Sequence, residues 1–495
     1  MNYLFLRALI IAACSFSLPV FAAVPGILDT TFNPEGLKAG TESTNINGST
    51  NNNPGRAVAI QTDNKIVVAG TAVFSGGSQI KFGIARFLAD GTLDETFNAG
   101  GTQPGTNATS IANSSTDSQA FAVAIQADGK IVAAGYANVG SYQFAIARFN
   151  ADGTLDTTGF NALGTQAGTN IISIGVFSQA FAVVIQPDGK IVLAGDADVG
   201  GVDRLAVARF NSDGTPDLSF GGSNTGTNST TVNNMGYNGG AGVTIQSDGK
   251  IVVAGFAGDE AGTVSYFAVA RFNTDGTLDT TFNGSGTQAG TNATSIANST
   301  DPSNEALSVA IQSNGKIVLG GTTAVSSVTQ FGLAQFNTDG TLDGTFNGGG
   351  AQAGTAATII QNSTSASGAA VAIQQNGKIV IAGNAHVGGV DNFGIARFLA
   401  DGTLDTLTFN PDDLVQPGTN ATLINNAGQL SEGNSVALQS DGKIVMAGFL
   451  AASPSQFAVA RFNGDAIVPV PPVVTTTTTT DPFALRLIQK YGPRL

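Results

Sequence analysis

Between Gly26 and Asp465 the chain is a succession of short apolar runs separated by turn residues, with no window in which apolar residues recur at helical spacing. One unit shows the pattern. "AVAIQ" (Ala122–Gln126) alternates apolar and polar positions, as a strand with one covered face does. "KIVAAG" (Lys130–Gly135) is almost wholly apolar, the signature of a strand covered on both faces. Asp128-Gly129 between them predicts a hairpin turn. "FAIARF" (Phe144–Phe149) is a third strand. Asp152-Gly153 then turns the chain into "TLDTTGF" (Thr154–Phe160), the predicted fourth. A Gly/Thr/Asn-rich connector follows, such as "GTNATSIANS", present verbatim at Gly105–Ser114 and Gly290–Ser299.

The unit repeats seven times. Its turn lysines are Lys65, Lys130, Lys190, Lys250, Lys316, Lys378 and Lys443, 60 to 66 residues apart. The "FAIARF" strand begins at Phe82, Phe144, Leu205, Phe267, Phe331, Phe393 and Phe457. The aspartate of "TLDTTF" is Asp29, Asp94, Asp156, Asp217, Asp279, Asp343 and Asp405. Variation respects turn geometry: Pro187 pre-sets φ ahead of Asp188-Gly189, and where the glycine is lost Asn64 replaces it. Four antiparallel strands per unit, seven units and no helix predict an all-β fold, a seven-bladed β-propeller with four-stranded blades. The N-terminal "GILDTTFNPEG" (Gly26–Gly36) is the second half of a unit and the C-terminal "FAVARFNGD" (Phe457–Asp465) the first half. The two halves predict a ring closed by an N-terminal strand pairing in the C-terminal blade. A linear β-solenoid is the alternative, but it needs end caps rather than complementary half-units.

The pattern "DGKIVVAG…FAVARFNTDGTLDTTF", carried by all seven copies over Gly26–Asp465, resembles the delta-60 repeat family, with a strand order similar to NHL-type propeller repeats. The resemblance implies a propeller in a bacterial exported or surface protein. It implies no reaction.

Composition adds export and acidity. Arg7 is the only charge ahead of "ALIIAACSFSLPVFA", and Val20-Phe21-Ala22 offers small residues for cleavage after Ala22, so residues 1–22 are expected to be a signal peptide. A lipoprotein reading at Cys14 is weaker, because that residue falls early and apolar residues follow it. Cys14 is the only cysteine, so a mature chain has no disulfide. Without Arg7 the chain carries 20 basic and 35 acidic residues, a net charge of −15, which argues against nucleic acid and anionic membrane surfaces. No other apolar run approaches spanning length. Residues 23–465 are therefore expected to be the propeller, 466–480 ("AIVPVPPVVTTTTTT") an extended linker and 481–495 a short basic tail, in a monomer.

Candidate chemistry is sparse. Nineteen of the 35 acids occupy turn and "LD" positions and 13 of the 20 basic residues are the turn lysines and the "ARF" arginines, so most of the charge belongs to the scaffold. The arginines are expected to pair with the "LD" aspartates; Gln335 replaces arginine in the fifth unit. "NADGTLD" (Asn150–Asp156) spaces oxygens like a calcium loop but lacks a distant bidentate glutamate, so no metal is expected. A single histidine, His386, gives no zinc cluster, and no cofactor is expected. In a four-stranded meander the first and third turns share one face, and the variable loops share the other. A specific partner, protein or glycan, needs a unique cluster on that variable face. The candidates are Asp196, Asp198, Asp203, Arg204, Asp259, Glu260, Tyr266, His386 and Asp391. The expected function is non-catalytic binding by an exported protein. A hydrolase or lyase using loop carboxylates is the alternative, and a purely structural surface protein the third reading.

Overall fold

The computed structural model describes residues 23–49, 53–114, 117–222, 225–261, 263–299, 304–424 and 428–465. The expected signal peptide, linker and basic tail lie outside the described residues. Among the described residues there are 28 strands in seven four-stranded antiparallel sheets and no α-helix, a seven-bladed β-propeller.

The second blade is typical. Ser118–Ile125 pairs with Ile131–Asn138, which pairs with Tyr142–Phe149, which pairs with Thr169–Ile172. The first hairpin closes by Gln126 N–H to Lys130 O (2.8 Å), with Gly129 at φ 81°. Asn64 takes the equivalent left-handed conformation at φ 63°. The second strand is buried on both faces, as its unbroken apolar run requires. Seven apolar clusters fill the space between successive blades. The one joining the last blade to the first contains Phe32, Ile46, Val58, Val445 and Phe457.

The fourth strand is not the "TLDTTF" segment. There the segment makes only an isolated bridge, such as Phe149↔Leu155 or, in the third blade, Phe210↔Pro216, and the next N–H bonds back to the strand, as Asp156 N–H does to Arg148 O (2.9 Å). The strand itself comes from the polar connector: Thr106–Thr109, Thr169–Ile172, Thr227–Thr230, Thr291–Thr294, Thr355–Thr358 and Thr419–Thr422. Its outer threonines are buried and its middle residues half-exposed, which a polar four-residue edge accommodates. The seventh blade takes its fourth strand from Thr41–Thr44, paired to Gln456–Phe462, and Leu28 bridges to Phe462. The ring is closed by the N-terminal segment.

The "LD" segment works as a clamp instead. In the fourth blade Asp279 Oδ2 accepts from Arg271 Nε (2.7 Å) and Lys250 Nζ (2.8 Å), and Oδ1 accepts from Thr281 N–H (3.1 Å) and Oγ1 (2.6 Å). The Arg271 guanidinium lies 4.6 Å over the Phe282 ring and donates to Thr338 O of the next blade (2.6 Å). Arg461 makes the same contacts across the closure, to Asp29 (2.7 Å) and to Ala89 O of the first blade (2.5 Å). Gln335 keeps only a bond to Gln312 Oε1 (2.9 Å).

Candidate ligand-binding site

Each innermost strand carries a β-bulge at the same position, where an extra residue leaves the pairing with the second strand, and the sixth blade has a further irregularity between Ser363 and Ser365. Backbone approach makes the bulge possible. A Cβ at Gly195 would lie 1.9 Å from Gln179 O, so the second strand needs glycine there. The seven extra residues are Arg56, Phe121, Phe181, Ala241, Leu307, Ala369 and Asn434, and they line a common cavity on the propeller axis. The blades repeat, but this ring does not: two rings, a guanidinium and an amide share it with three aliphatic side chains.

The ring separates two spaces. The one toward the "DGK" turns, about 210 Å³, is walled by Val58, Val123, Val183, Val243 and Val309. The other, about 290 Å³, adds Asp196, Gly239, Gly240 and Phe256 to the ring. Asp196 and Phe256 occupy the position immediately after the "AG" of the second strand, so this space lies toward the variable loops. The fourth blade opens a recess, because its inner strand reads Gly239-Gly240-Ala241 where the third reads Gln179-Ala180-Phe181. A side chain at Gly239 would run into the Phe256 ring at 2.6 Å. Tyr237 leans on that ring at 4.9 Å.

Charge in the cavity is divided. The Arg56 guanidinium sits 5.6 Å over Phe121, near Glu432 and Tyr136. Burial pulls its pKa down, and Glu432 and Tyr136 oppose that shift. Asp196 has Oδ1 buried without a hydrogen-bond partner. Its pKa is raised to about 6, chiefly by burial and also by Asp203, against backbone N–H groups of Asp196 and Gln179 that lower it. Burial also raises Glu305 and Glu432. An aromatic run leads outward from the ring, Phe121 to Tyr136 (5.8 Å), Tyr136 to Tyr142 (4.8 Å) and Tyr142 to Phe177 (5.1 Å).

Of the nine residues expected from sequence, Asp196 lines this cavity. Asp198 and Asp203 face each other at the end of a third-blade hairpin, where Asp198 Oδ1 accepts from Gly201 N–H (2.8 Å) and Arg204 lies alongside. In the fourth blade Asp259 closes its own loop through Thr263 N–H (2.7 Å) and Val264 N–H (3.1 Å). Glu260 is exposed over Gly236, and Tyr266 is half-buried opposite Ala257. His386 Nδ1 meets Asp391 Oδ1 at 2.7 Å on facing strands of the sixth blade. These residues form three stations on three hairpins rather than one cluster. Sequence reading missed Arg56, Phe121, Phe181, Phe256 and Glu432. For the first three the available signal was the inner-strand position whose chemistry changes most from blade to blade, Arg, Phe, Phe, Ala, Leu, Ala and Asn in turn.

Among the described residues no group of three His, Cys, Asp or Glu stands close enough to hold a metal ion. In the "DGT" turns the aspartate is engaged locally, with Asp275 Oδ1 accepting from Thr277 N–H (2.9 Å) and Oγ1 (2.6 Å). Among the same residues no helix is long and apolar enough to cross a membrane.

The fold and its broken inner ring define the class: a seven-bladed β-propeller with an asymmetric axial cavity. Within that class, a family model described as "Domain of unknown function (DUF5122) beta-propeller" matches the chain seven times, at residues 61–97, 126–158, 186–220, 246–282, 312–346, 374–407 and 439–465. No curated protein matches the sequence. Similar solved structures include a protein of unknown function from Dyadobacter fermentans (9% identical, covering 86% of this chain and 100% of that one, TM-score 0.42). A catalytically inactive virginiamycin B lyase from Staphylococcus aureus with quinupristin is 11% identical over 85% of this chain and 98% of its own, TM-score 0.41. Polysaccharide lyase Uly1 is 12% identical over 83% and 90%, TM-score 0.49. Such identities and scores carry nothing about the chemistry of this chain.

Proposed function

We propose that the protein is an exported, monomeric, non-catalytic binding propeller of the delta-60 repeat type, which takes a protein or glycan partner on its variable face. The observation that carries this reading is the placement of asymmetry. The "DGK" and "DGT" turns are near copies around the ring, whereas the inner ring and the cavity above it combine Arg56, Phe121, Phe181, Asp196 and Phe256 once each. A scaffold without a ligand has no need to vary there. The stations at Asp198–Asp203–Arg204, Asp259–Glu260–Tyr266 and His386–Asp391, on hairpins of the third, fourth and sixth blades, supply polar contacts to a larger partner. The mature charge of −15 favours a cationic or hydroxyl-rich partner and makes association salt-sensitive.

A second reading, a hydrolase or lyase, is favoured by one observation, the Asp196 carboxyl titrating near 6 in a cavity wall. The test is capture of partners from envelope or host material by the immobilised protein, followed by substitution. Phe181→Ala, Glu260→Gln and His386→Ala should weaken capture. Asp128→Asn and Asp188→Asn, in turns of the other face where Asn314 already serves naturally, should not. The reverse ranking sinks the variable-face reading. Turnover of a captured glycan that disappears with Asp196→Asn favours the enzyme.

A further inference from the structure

The axial cavity contains a polar atom that the fold leaves unused. Asp196 Oδ1 is buried and has no partner, although the cavity wall around it is ring carbon and glycine. Within the fold the carboxyl is met by backbone N–H groups of Asp196 and Gln179 alone, and a donor on its cavity side adds the charged partner it lacks. The charged side chain that acts on this carboxyl is another acid, Asp203, which pushes its pKa up. The only basic residue lining the cavity is Arg56, and it is directed elsewhere, over Phe121 and toward Glu432 and Tyr136. Within the cavity lining, Asp196 thus has no basic partner, Arg204 standing beside Asp198 and Asp203 at the hairpin end, while negative charge on the side of the seventh and first blades is met by Arg56.

The recess beside Asp196 has a definite shape. Gly239-Gly240-Ala241 withdraws the fourth blade from the axis, and Phe256 fills part of the vacated space with its ring. Phe181 of the third blade and Leu307 of the fifth stand on either side. Aromatic faces beside an unpaired carboxylate suit an organic cation, whose charge is attracted by both and whose carbon body is sheltered from water. A volume of about 290 Å³ is at the small end of the ~300–1,000 Å³ of small-molecule sites.

We infer that this recess binds a small organic ammonium ion with a compact apolar or aromatic body, its N–H donors on Asp196 and its body against Phe181 and Phe256. The inference rests on the binding reading above and specifies its chemistry. The ligand is a free amine or the aminium end of a larger partner reaching into the channel. Four carboxyl and phenol groups bear on its pH dependence: Asp196 itself, Asp203 (with Arg204 next to it), Tyr237, which feels both acids, and Glu305 near Tyr237. Arg56 remains charged throughout. Affinity therefore falls as Asp196 takes up its proton.

The probes are 2-phenylethylammonium, 2-phenylethanol and 3-phenylpropionate, titrated calorimetrically into the full chain at pH 8 and pH 5. The ammonium probe should bind at pH 8 at least tenfold more tightly than the alcohol, and the carboxylate not measurably. Binding should weaken severalfold at pH 5. Asp196→Asn, isosteric and checked to melt no lower than the parent, should lose at least tenfold and its pH dependence; Asp128→Asn, on the other face, should lose nothing. Equal affinity for the alcohol, or an unchanged Asp196→Asn variant, overturns the inference, as does failure of all three probes. In that last case, capture of a neutral glycan that still depends on Phe181 leaves the binding reading standing. Capture indifferent to Phe181 removes both.

Discussion

The clamp aspartates allow a comparison between neighbouring blades of one molecule. Asp279 and Asp343 sit at equivalent positions. Each holds a turn lysine (Lys250 at 2.8 Å, Lys316 at 2.5 Å) and its own threonine loop. They differ in one partner. Asp279 also neutralises Arg271, whose side chain is 8% exposed, whereas the fifth blade has Gln335, satisfied by Gln312. Asp279→Ala leaves a buried guanidinium without a counter-ion, which costs about 3–5 kcal/mol. Asp343→Ala strands no buried cation. Lys316 is 29% exposed and turns to water, so the loss is that of broken hydrogen bonds, about 1–3 kcal/mol. The chain has no tryptophan, so far-UV circular dichroism in urea is the assay, with midpoints compared at a common slope. The two variants should differ by about 2 kcal/mol. Arg271→Gln should cost less than Asp279→Ala, because Gln246 stands where Gln312 stands. Equal losses in the two aspartate variants would refute the claim that the aspartate is held in place by the buried arginine.

The same structure implies four further outcomes. Phe32, fully buried between the last and first blades beneath Arg461, should cost about 3–5 kcal/mol as Phe32→Ala, and an unchanged urea midpoint would deny closure through this segment. Asp196 has a folded pKa near 6 against ~3.9 unfolded, so its ionisation opposes folding above that window and the opposition vanishes as pH falls through it. Asp196→Asn should thus be more stable than the parent at pH 8, by up to about 2–3 kcal/mol, and no more stable at pH 4; a constant difference across that range excludes the shift. The clamp aspartates run the other way. Burial raises them but lysine, threonine and arginine contacts outweigh it, so their contribution is present above ~4 and lost as pH falls further. Excess chelator should leave the melting temperature within error, since the "DGT" aspartates are satisfied by threonine; a large drop would reveal a bound ion.

The strands that bury their faces were legible in the sequence, because period-two and unbroken apolar runs report burial directly. So was closure, from the divided unit at Gly26 and Asp465. The fourth strand was not. Thr291–Thr294 (Thr-Asn-Ala-Thr) is short, mostly polar and at the outer edge, where backbone pairing decides and side-chain pattern carries little signal. "TLDTTGF" looked like a strand through Leu155 and Phe160, yet those residues serve the clamp: Leu155 bridges to Phe149 and Phe160 lies under Arg148. The cavity was hidden for another reason. A bulge adds one residue without breaking the apolar pattern, so "QAFAVAI" reads as a uniform strand while Phe121 leaves its pairing and turns to the axis. Asp196 could be singled out as a departure from the repeat. That it faces the axis, rather than the loop tips where Asp198 and Asp203 stand, is a matter of register.

The central claim is that the variable face and its axial cavity are where this propeller meets its partner. Hydrogen–deuterium exchange of the full chain with and without captured partner tests it most directly. Protection is expected in residues 177–183, 196–204, 237–241 and 256–261, with the turns at 126–130, 150–156 and 186–190 unchanged. Protection confined to those turns, with the cavity strands unaffected, would contradict it.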